Sequence, residues 1–325
     1  MRRVALAAAT LAALMSAGLC GGALAEYPDK PIRFIVPQAP GSNTDLYARV
    51  LGAEMGKSLG QQLIIENRPG GAFVIGLDAI AKSPPDGYTI GVGLIGGMAL
   101  TPHMVGKLPY DVVKDFEPIG MIGRGHLMLA ISPSLQVKSV KELIDYAKAN
   151  PGKLSAASSG NGSPGHIGLE LFKSLTGTQI THVPYRGGAP AINDLIAGRV
   201  EIMFEGLASM APFVLDHRIR GLGVSGPARS PAFPDTPTIA EAGVPGYVAV
   251  TWLGVVGPAK MPRPIVEKLN RAVNDALKSQ LMADRFKLIG EEPAPGTPED
   301  YAKVIRTDFV KWKEVIEKAN IKLSE

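Results

Sequence analysis

The sequence predicts an α/β fold of two units joined by two crossover segments, and three observations carry that prediction. Short apolar strands alternate with segments of helical period, which is the signature of a parallel sheet with helical crossovers. The alternation restarts after Phe116-Glu117-Pro118. In each unit a glycine-rich turn leads from a strand into a helix, Pro40-Gly41-Ser42-Asn43-Thr44-Asp45 in the first and Ser158-Ser159-Gly160-Asn161-Gly162-Ser163-Pro164-Gly165-His166 in the second.

In the first unit, residues 32–36 read as a strand, 37–43 as a turn and 44–59 as a helix stopped by Gly60. A second strand is expected over 63–66. It is followed by the turn Asn67-Arg68-Pro69-Gly70-Gly71, a helix over 75–82, the turn Pro84-Pro85-Asp86-Gly87 and a strand over 88–92. In the second unit, strands are expected over 127–131, 154–157 and 181–185, and helices over 140–149, 167–175 and 189–197. Ser139 is the expected N-cap of the 140–149 helix and Gly177 closes the 167–175 helix. Strands over 201–205 and 219–224 close a second small sheet, and 230–237 reads as an ordered surface loop because apolar strands flank it. Beyond a strand over 252–256 the chain turns helical, over 264–281 and 298–319, and these helices are expected to pack back on the first unit. A chain that leaves one unit near Gly123 and returns near Val250 has two connections between them, which makes a hinge. The expected division is 26–124 with 250–325 as domain one and 125–249 as domain two.

Arg2-Arg3, the apolar run from 4 to 15 and the small-residue site Ala23-Leu24-Ala25 read as a secretory signal peptide over 1–25, cleaved after Ala25. The run is shorter than the roughly 20 residues of a bilayer span. Cleavage removes Cys20, the only cysteine, so burial and not disulfides must stabilise the mature chain. It also removes Arg2 and Arg3, leaving 32 Lys+Arg against 30 Asp+Glu, a net of +2 that argues against nucleic acid as a partner. Selectivity for an anion must therefore be local.

The two turns supply it. A helix start leaves its first N–H groups without intrahelical acceptors and carries partial positive charge, so a carboxylate there gains hydrogen bonds and a favourable dipole together. Two such starts facing each other would clamp a small acid. Asp45 has two readings, as a brace bonded back to its own loop or as a first-turn acid favoured by the dipole, and Arg49 one turn later is a partner for it. Glu205, at the end of its strand, either meets an ammonium or hydroxyl on the ligand or faces solvent.

Three chemical alternatives fail on context. Gly91-Val92-Gly93-Leu94-Ile95-Gly96 has the dinucleotide-fingerprint spacing, but Pro102 interrupts the helix that must follow, so the segment reads as a glycine-rich turn lining a cleft, with Ile95 in it. A hydrolase built on Ser163 and His166 lacks the elbow glycine, because position 161 is Asn161, and lacks an identifiable third member. The five histidines include no pair at metal-ligand helical spacing, so neither metal nor cofactor is expected.

These residues together resemble a known family. The first turn leading to Ala48-Arg49, then Glu66-Asn67-Arg68-Pro69-Gly70 and Pro85-Asp86-Gly87-Tyr88-Thr89, is similar to the Bug family of solute receptors of tripartite tricarboxylate transporters. Ser158 to Ser163 with His166, Val183-Pro184-Tyr185-Arg186-Gly187, Pro190-Ala191-Ile192-Asn193-Asp194-Leu195 and Phe233-Pro234-Asp235-Thr236-Pro237-Thr238 with Glu241 extend the likeness over the whole mature chain. The resemblance implies a type II periplasmic binding protein, a Venus flytrap that holds a small carboxylic acid between two α/β domains without changing it. The acid classes it admits are di- and tricarboxylates, aromatic acids and acidic amino acids. The resemblance places the carboxylate against Pro40, Gly41, Ser42, Asn43 and Asp45 on one side and Ser158, Gly160, Ser163, Pro164 and His166 on the other. Tyr185, Arg186, Gly187 and Glu205 would read the far end. The implied partners are the permease subunits of such a transporter; a sensor kinase is the rival partner for the same closed form, and a monomer is expected because nothing in the sequence signals oligomerisation.

Two departures bear on specificity. Ser42 stands where the family has a second glycine, adding a hydroxyl but resisting positive φ. Gly70-Gly71-Ala72-Phe73 stands where the family tends to Gly-Ala-Gly-Gly, and the Phe73 ring either projects into the cleft, favouring a compact or aromatic acid, or packs beneath it.

Overall fold

The computed structural model describes residues 27–185, 187–289 and 291–322, so the expected signal peptide and Arg186 lie outside the described residues. Ten strands form one curled sheet whose main path runs β2-β1-β3-β9-β4-β7-β5-β6. These are β1 (Ile32–Val36), β2 (Leu63–Asn67), β3 (Thr89–Leu94), β4 (Phe116–Ile131), β5 (Ser155–Ser158), β6 (Thr181–Pro184), β7 (Ile202–Gly206) and β9 (Val250–Pro258). Off that path, β8 (Arg220–Val224) and β10 (Glu292–Pro293) each pair with β4. The fold is that of a two-lobed periplasmic binding protein.

The lobes are joined through β4. Its first part, Phe116 to His126, pairs antiparallel with β9, and its last part, Leu127 to Ile131, pairs with β7 and β8. One continuous 16-residue strand therefore belongs to both half-sheets. The second crossing is the run into β9, where the Ala249 N–H donates to Ser225 O and the Ser225 hydroxyl donates to Ala249 O. Within each lobe the strands are parallel, β2-β1-β3 in the first and β6-β5-β7 in the second. The strands linking the lobes are antiparallel because the chain returns along the path by which it left, so the sheet is mixed and not the purely parallel one the alternation predicts.

Local chemistry sets the element ends. Ser42 and Ser139 cap the helices Asn43–Leu59 and Val140–Ala149, Gly60 and Gly177 close theirs in the left-handed conformation, and Thr297 with Asp300 forms a capping box on Pro298–Lys318. Strands β1 and β3 bury Ile32, Phe34 and Ile90 against Tyr47, Leu51 and Met55 of the first helix, and Val266, Leu269 and Val273 of the helix Arg263–Ala276 join the same core. The C-terminal helices do pack back on the first lobe. The expected 264–281 helix is two, Arg263–Ala276 and Gln280–Ile289, and β10 follows them. Gly91 and Gly93 are not in a turn but inside β3, where a Cβ would lie 2.2 Å from Ile80 and 2.6 Å from Met98. The turn expected there starts only at Gly96, as a single π-helical turn, Gly96–Leu100.

Candidate functional site

The first turn is shaped by an acid beneath it. Asp45 is 1% exposed. It accepts from the Gly41 N–H at 2.8 Å, from Arg49 Nε at 3.0 Å and from Asn67 Nδ2 at 2.9 Å. Asn67 ends β2 and also donates to Gln38 O, so the brace ties the turn to the neighbouring strand. Burial pushes the Asp45 carboxyl up, but these donors outweigh it and hold the group below its ordinary value. Gly41 takes φ +81°, while Ser42 is extended at φ −66° as the N-cap and accepts from Asp45 N–H, so the serine is not strained.

This arrangement uses several of the donors a ligand was expected to meet. The N–H groups of Gly41, Ser42 and Asp45 are bonded to Asp45, Ala39 and Ser42 respectively, and Pro40 has none. The N–H groups of Asn43 and Thr44, the first two of the helix, have no intrahelical acceptor. Thr44 is also the residue of this helix start that lines the cavity.

The second turn has a similar brace. Ser163 is the N-cap of the helix Pro164–Thr176, which begins three residues before the expected 167–175 because proline fits the first helical position. The Gly162 N–H donates to His166 Nδ1 at 3.0 Å, leaving the His166 proton on Nε2. His166 stacks on His182 with ring centroids 3.7 Å apart, and His182 Nε2 lies 2.7 Å from the Oγ of fully buried Ser158. Burial lowers both imidazoles, His166 to about 3 and His182 to about 4, with Lys173 adding repulsion to each. The pair is neutral and props the loop from below. It places no cation before an anion, and Ser163 receives the His166 backbone N–H instead of the ring.

The two turns meet at a cavity of about 420 Å³. Gln38 and Thr44 reach it from the first lobe, and Ser159 to Pro164 from the second. Its apolar wall is Phe73, Leu94, Ile95, Met104, Trp252 and Leu253; Thr101 and Thr251 add hydroxyls. Phe73 is left-handed at φ +79° and lays its ring on Gly96 and Gly97, where a Cβ at Gly96 would come within 2.7 Å of it. The ring is thus both packed and at the cavity wall. Glu291 is the single ionisable side chain among the described lining residues. Its Oε2 accepts from the Tyr47 hydroxyl at 2.9 Å, and burial raises its carboxyl despite that bond and the nearby Arg285.

Of the residues the sequence singles out, Phe73, Ile95, Gly160, Ser163 and Pro164 line this cavity. Pro40, Gly41, Ser42, Asp45, Ser158 and His166 do not; the last three are buried under it. Asn43 opens the helix. Tyr185 is turned to Asp194 at 2.8 Å, the Gly187 N–H holds Ser159 O, and Glu205 Oε1 takes its neighbour's N–H, Gly206 N. None of these three is on the cavity wall. Residues missed in the sequence include Thr44, Thr101, Met104, Thr251, Trp252 and Glu291. Only Thr44, inside the helix-start motif, carried a local signal. A larger groove of about 580 Å³ is lined by first-lobe and hinge residues such as Arg124, Asp300 and Lys303, and neither turn reaches it. Among the described residues no cluster of three or more His, Cys, Asp or Glu is placed to hold a metal.

A family model described as the tripartite tricarboxylate transporter family receptor matches residues 47–321. Protein BugT of Bordetella pertussis is 36% identical over 316 residues, covering 95% of this chain and 96% of that protein. A solved R. palustris protein with adipate is 38% identical, with a TM-score of 0.77 over 91% of this chain and 99% of that one. MatC from Rhodopseudomonas palustris with bound malate is 30% identical, with a TM-score of 0.74 over 89% of this chain and 100% of that one.

Proposed function

This chain belongs to the tripartite tricarboxylate transporter receptor family, and from that membership we propose that it captures a small carboxylic acid in the periplasm and presents it to the permease subunits of such a transporter. Its family and fold are those of solute-binding receptors, which supports a binding role over catalysis. The observation that carries the ligand class is the cavity shared by two helix starts, with hydroxyl and backbone donors on both sides and, among the described lining residues, no cation. Neutral donors suffice. Hydrogen bonds to a charged group contribute roughly 1.5–3 kcal/mol each, so four or five support a micromolar complex of about 8 kcal/mol after the cost of association.

The division at 26–124 with 250–325 and at 125–249 gives each lobe half of those donors. A carboxylate is then fully bonded only when the lobes are closed, and binding shifts the hinge equilibrium toward closure. The adipate and malate of the solved relatives make dicarboxylates the first acids to test. The closed monomer is the form a permease would read.

Native mass spectrometry of the protein as purified, followed by calorimetry with purified acids, tests the reading. A bound acid and micromolar titrations support it. Thr44→Val and Ser159→Ala are each expected to weaken binding by about tenfold through loss of one bond to the charged group. No heat with any carboxylate, or full affinity in both variants, overturns it.

A further inference from the structure

The floor of the cavity has a chemistry of its own. Glu291 lies immediately before β10, which clips onto hinge strand β4 through Glu292 opposite Arg124. A Cβ built on Gly125 of β4 would meet Thr251 Oγ1 at 2.5 Å and Glu291 Oε1 at 3.0 Å, so the carboxyl and that hydroxyl flank one point of the hinge. Gly125 and Thr251 are register partners across β4 and β9. Glu291 is thus held where the two hinge strands meet, bonded to Tyr47 in the second turn of the first helix and facing the same cavity as the two helix starts. Two groups face it from packed elements, the Tyr47 hydroxyl from the first helix and Arg285 from the helix Gln280–Ile289. Burial raises this carboxyl, and the phenol proton donated to Oε2 and the nearby guanidinium act against that rise in favour of the ionised form, which accepts hydrogen bonds and offers none.

We propose that Glu291 is the specificity determinant for the distal end of the ligand, and that it selects acids whose far end carries a hydrogen-bond donor, a hydroxyl or an ammonium, over acids ending in a second carboxylate. The inference rests on the carboxylate reading above. One acid group sits at the turns, where donors converge, and the other end reaches the floor. A second carboxylate there would face Glu291 with like charge, whereas a hydroxyl or ammonium would donate to it. The role assigned from the sequence to Glu205 thereby passes to Glu291.

A six-carbon series, matched to the adipate of the R. palustris relative, tests this by calorimetry near neutral pH: 6-hydroxyhexanoate, 6-aminohexanoate, hexanoate and adipate. The wild-type protein is expected to bind the hydroxy or the amino acid at least tenfold tighter than adipate. In Glu291→Gln, which keeps an acceptor for Tyr47 and removes the charge, that gap should close to within threefold through a gain for adipate. Adipate bound as tightly as both donor-bearing acids by the wild-type protein overturns the inference and needs no variant. So does an unchanged gap in a folded Glu291→Gln. Binding of no acid by folded wild-type protein overturns the carboxylate reading together with it, an outcome distinct from tight adipate binding, which overturns this inference alone.

Discussion

Replacing Asp45 with alanine should damage both stability and binding. Three donors converge on this carboxylate, and they fare differently without it. Arg49 is half exposed and regains water. The Gly41 N–H and the Asn67 amide point into a site whose acceptor is 1% exposed. Gly41 is exposed and Asn67 half-buried, so each lost bond costs roughly 0.5–1.5 kcal/mol and Asp45→Ala is expected to lose about 1–3 kcal/mol. That is a large share of the roughly 5–15 kcal/mol that stabilises a typical domain. Asp45→Asn should recover little, because its amide nitrogen would turn a donor toward the Gly41 N–H or the arginine. Urea unfolding with an unchanged slope measures the loss, and calorimetry with a bound acid should show at least tenfold weaker affinity because Thr44 is the preceding residue. The pH dependence follows in sign. A carboxyl held below its ordinary value contributes stability that is present above the unfolded-state value and lost as pH falls through the folded one, and the alanine variant should lack that part of the acid limb. A loss below about 1 kcal/mol, the net worth of one ordinary hydrogen bond, with unaltered affinity would refute the brace.

Three more outcomes follow from the packing. His166 and His182 are lowered from 6.5 to about 3 and about 4, so the unfolded chain binds more protons below 6.5 and stability should fall as pH drops from there; thermal melts between pH 7 and 5 check this, and His182→Gln should shallow the slope. Phe73 is left-handed, so Phe73→Gly should be more stable than Phe73→Ala by about 1 kcal/mol, the reverse of the usual order, although both lose the ring. Trp252→Phe removes the 2.6 Å bond from Nε1 to Asp308 Oδ2 while keeping an aromatic face; denaturant unfolding should register a loss of roughly 1–3 kcal/mol, since the acceptor is a buried carboxyl.

How much of this was legible in the sequence depends on distance along the chain. The helix starts at Ser42 and Ser139 and the stops at Gly60 and Gly177 are written in residues a few positions apart, and the structure has them there. Strand β4 was read only at its end, 127–131. Its first part is buried on both faces and carries Pro118, Gly120, Gly123 and Gly125, so it shows neither the alternation nor the β-branched run of an ordinary strand. The helix Leu207–Leu215 was missed for a related reason, since Pro212 sits inside it. At the site, the two turns were visible because a helix start is a local motif. Which donors they keep for themselves was not, because that depends on Asn67, 22 residues from Asp45, and on the stacking of His166 against His182. The cavity floor was out of reach for the same reason, since Thr251, Trp252 and Glu291 join it only through the return of the chain to the first lobe.

That return divides the work of recognition. The donors at the mouth of the cavity sit on turns at the ends of short strands in separate half-sheets, so their mutual distance changes whenever the lobes move. The floor sits where β9 pairs with β4 from Phe116 to His126, and β10 pairs with β4 at Gly123 and Arg124. In the proposed binding mode the acid group would be met by turns from separate half-sheets, and the far end by the strands that join them. If the proposed reading of the site holds, a ligand with the right acid group but a poorly matched tail would be stopped at the floor before the lobes close, and turns that accept any carboxylate could then belong to a selective receptor.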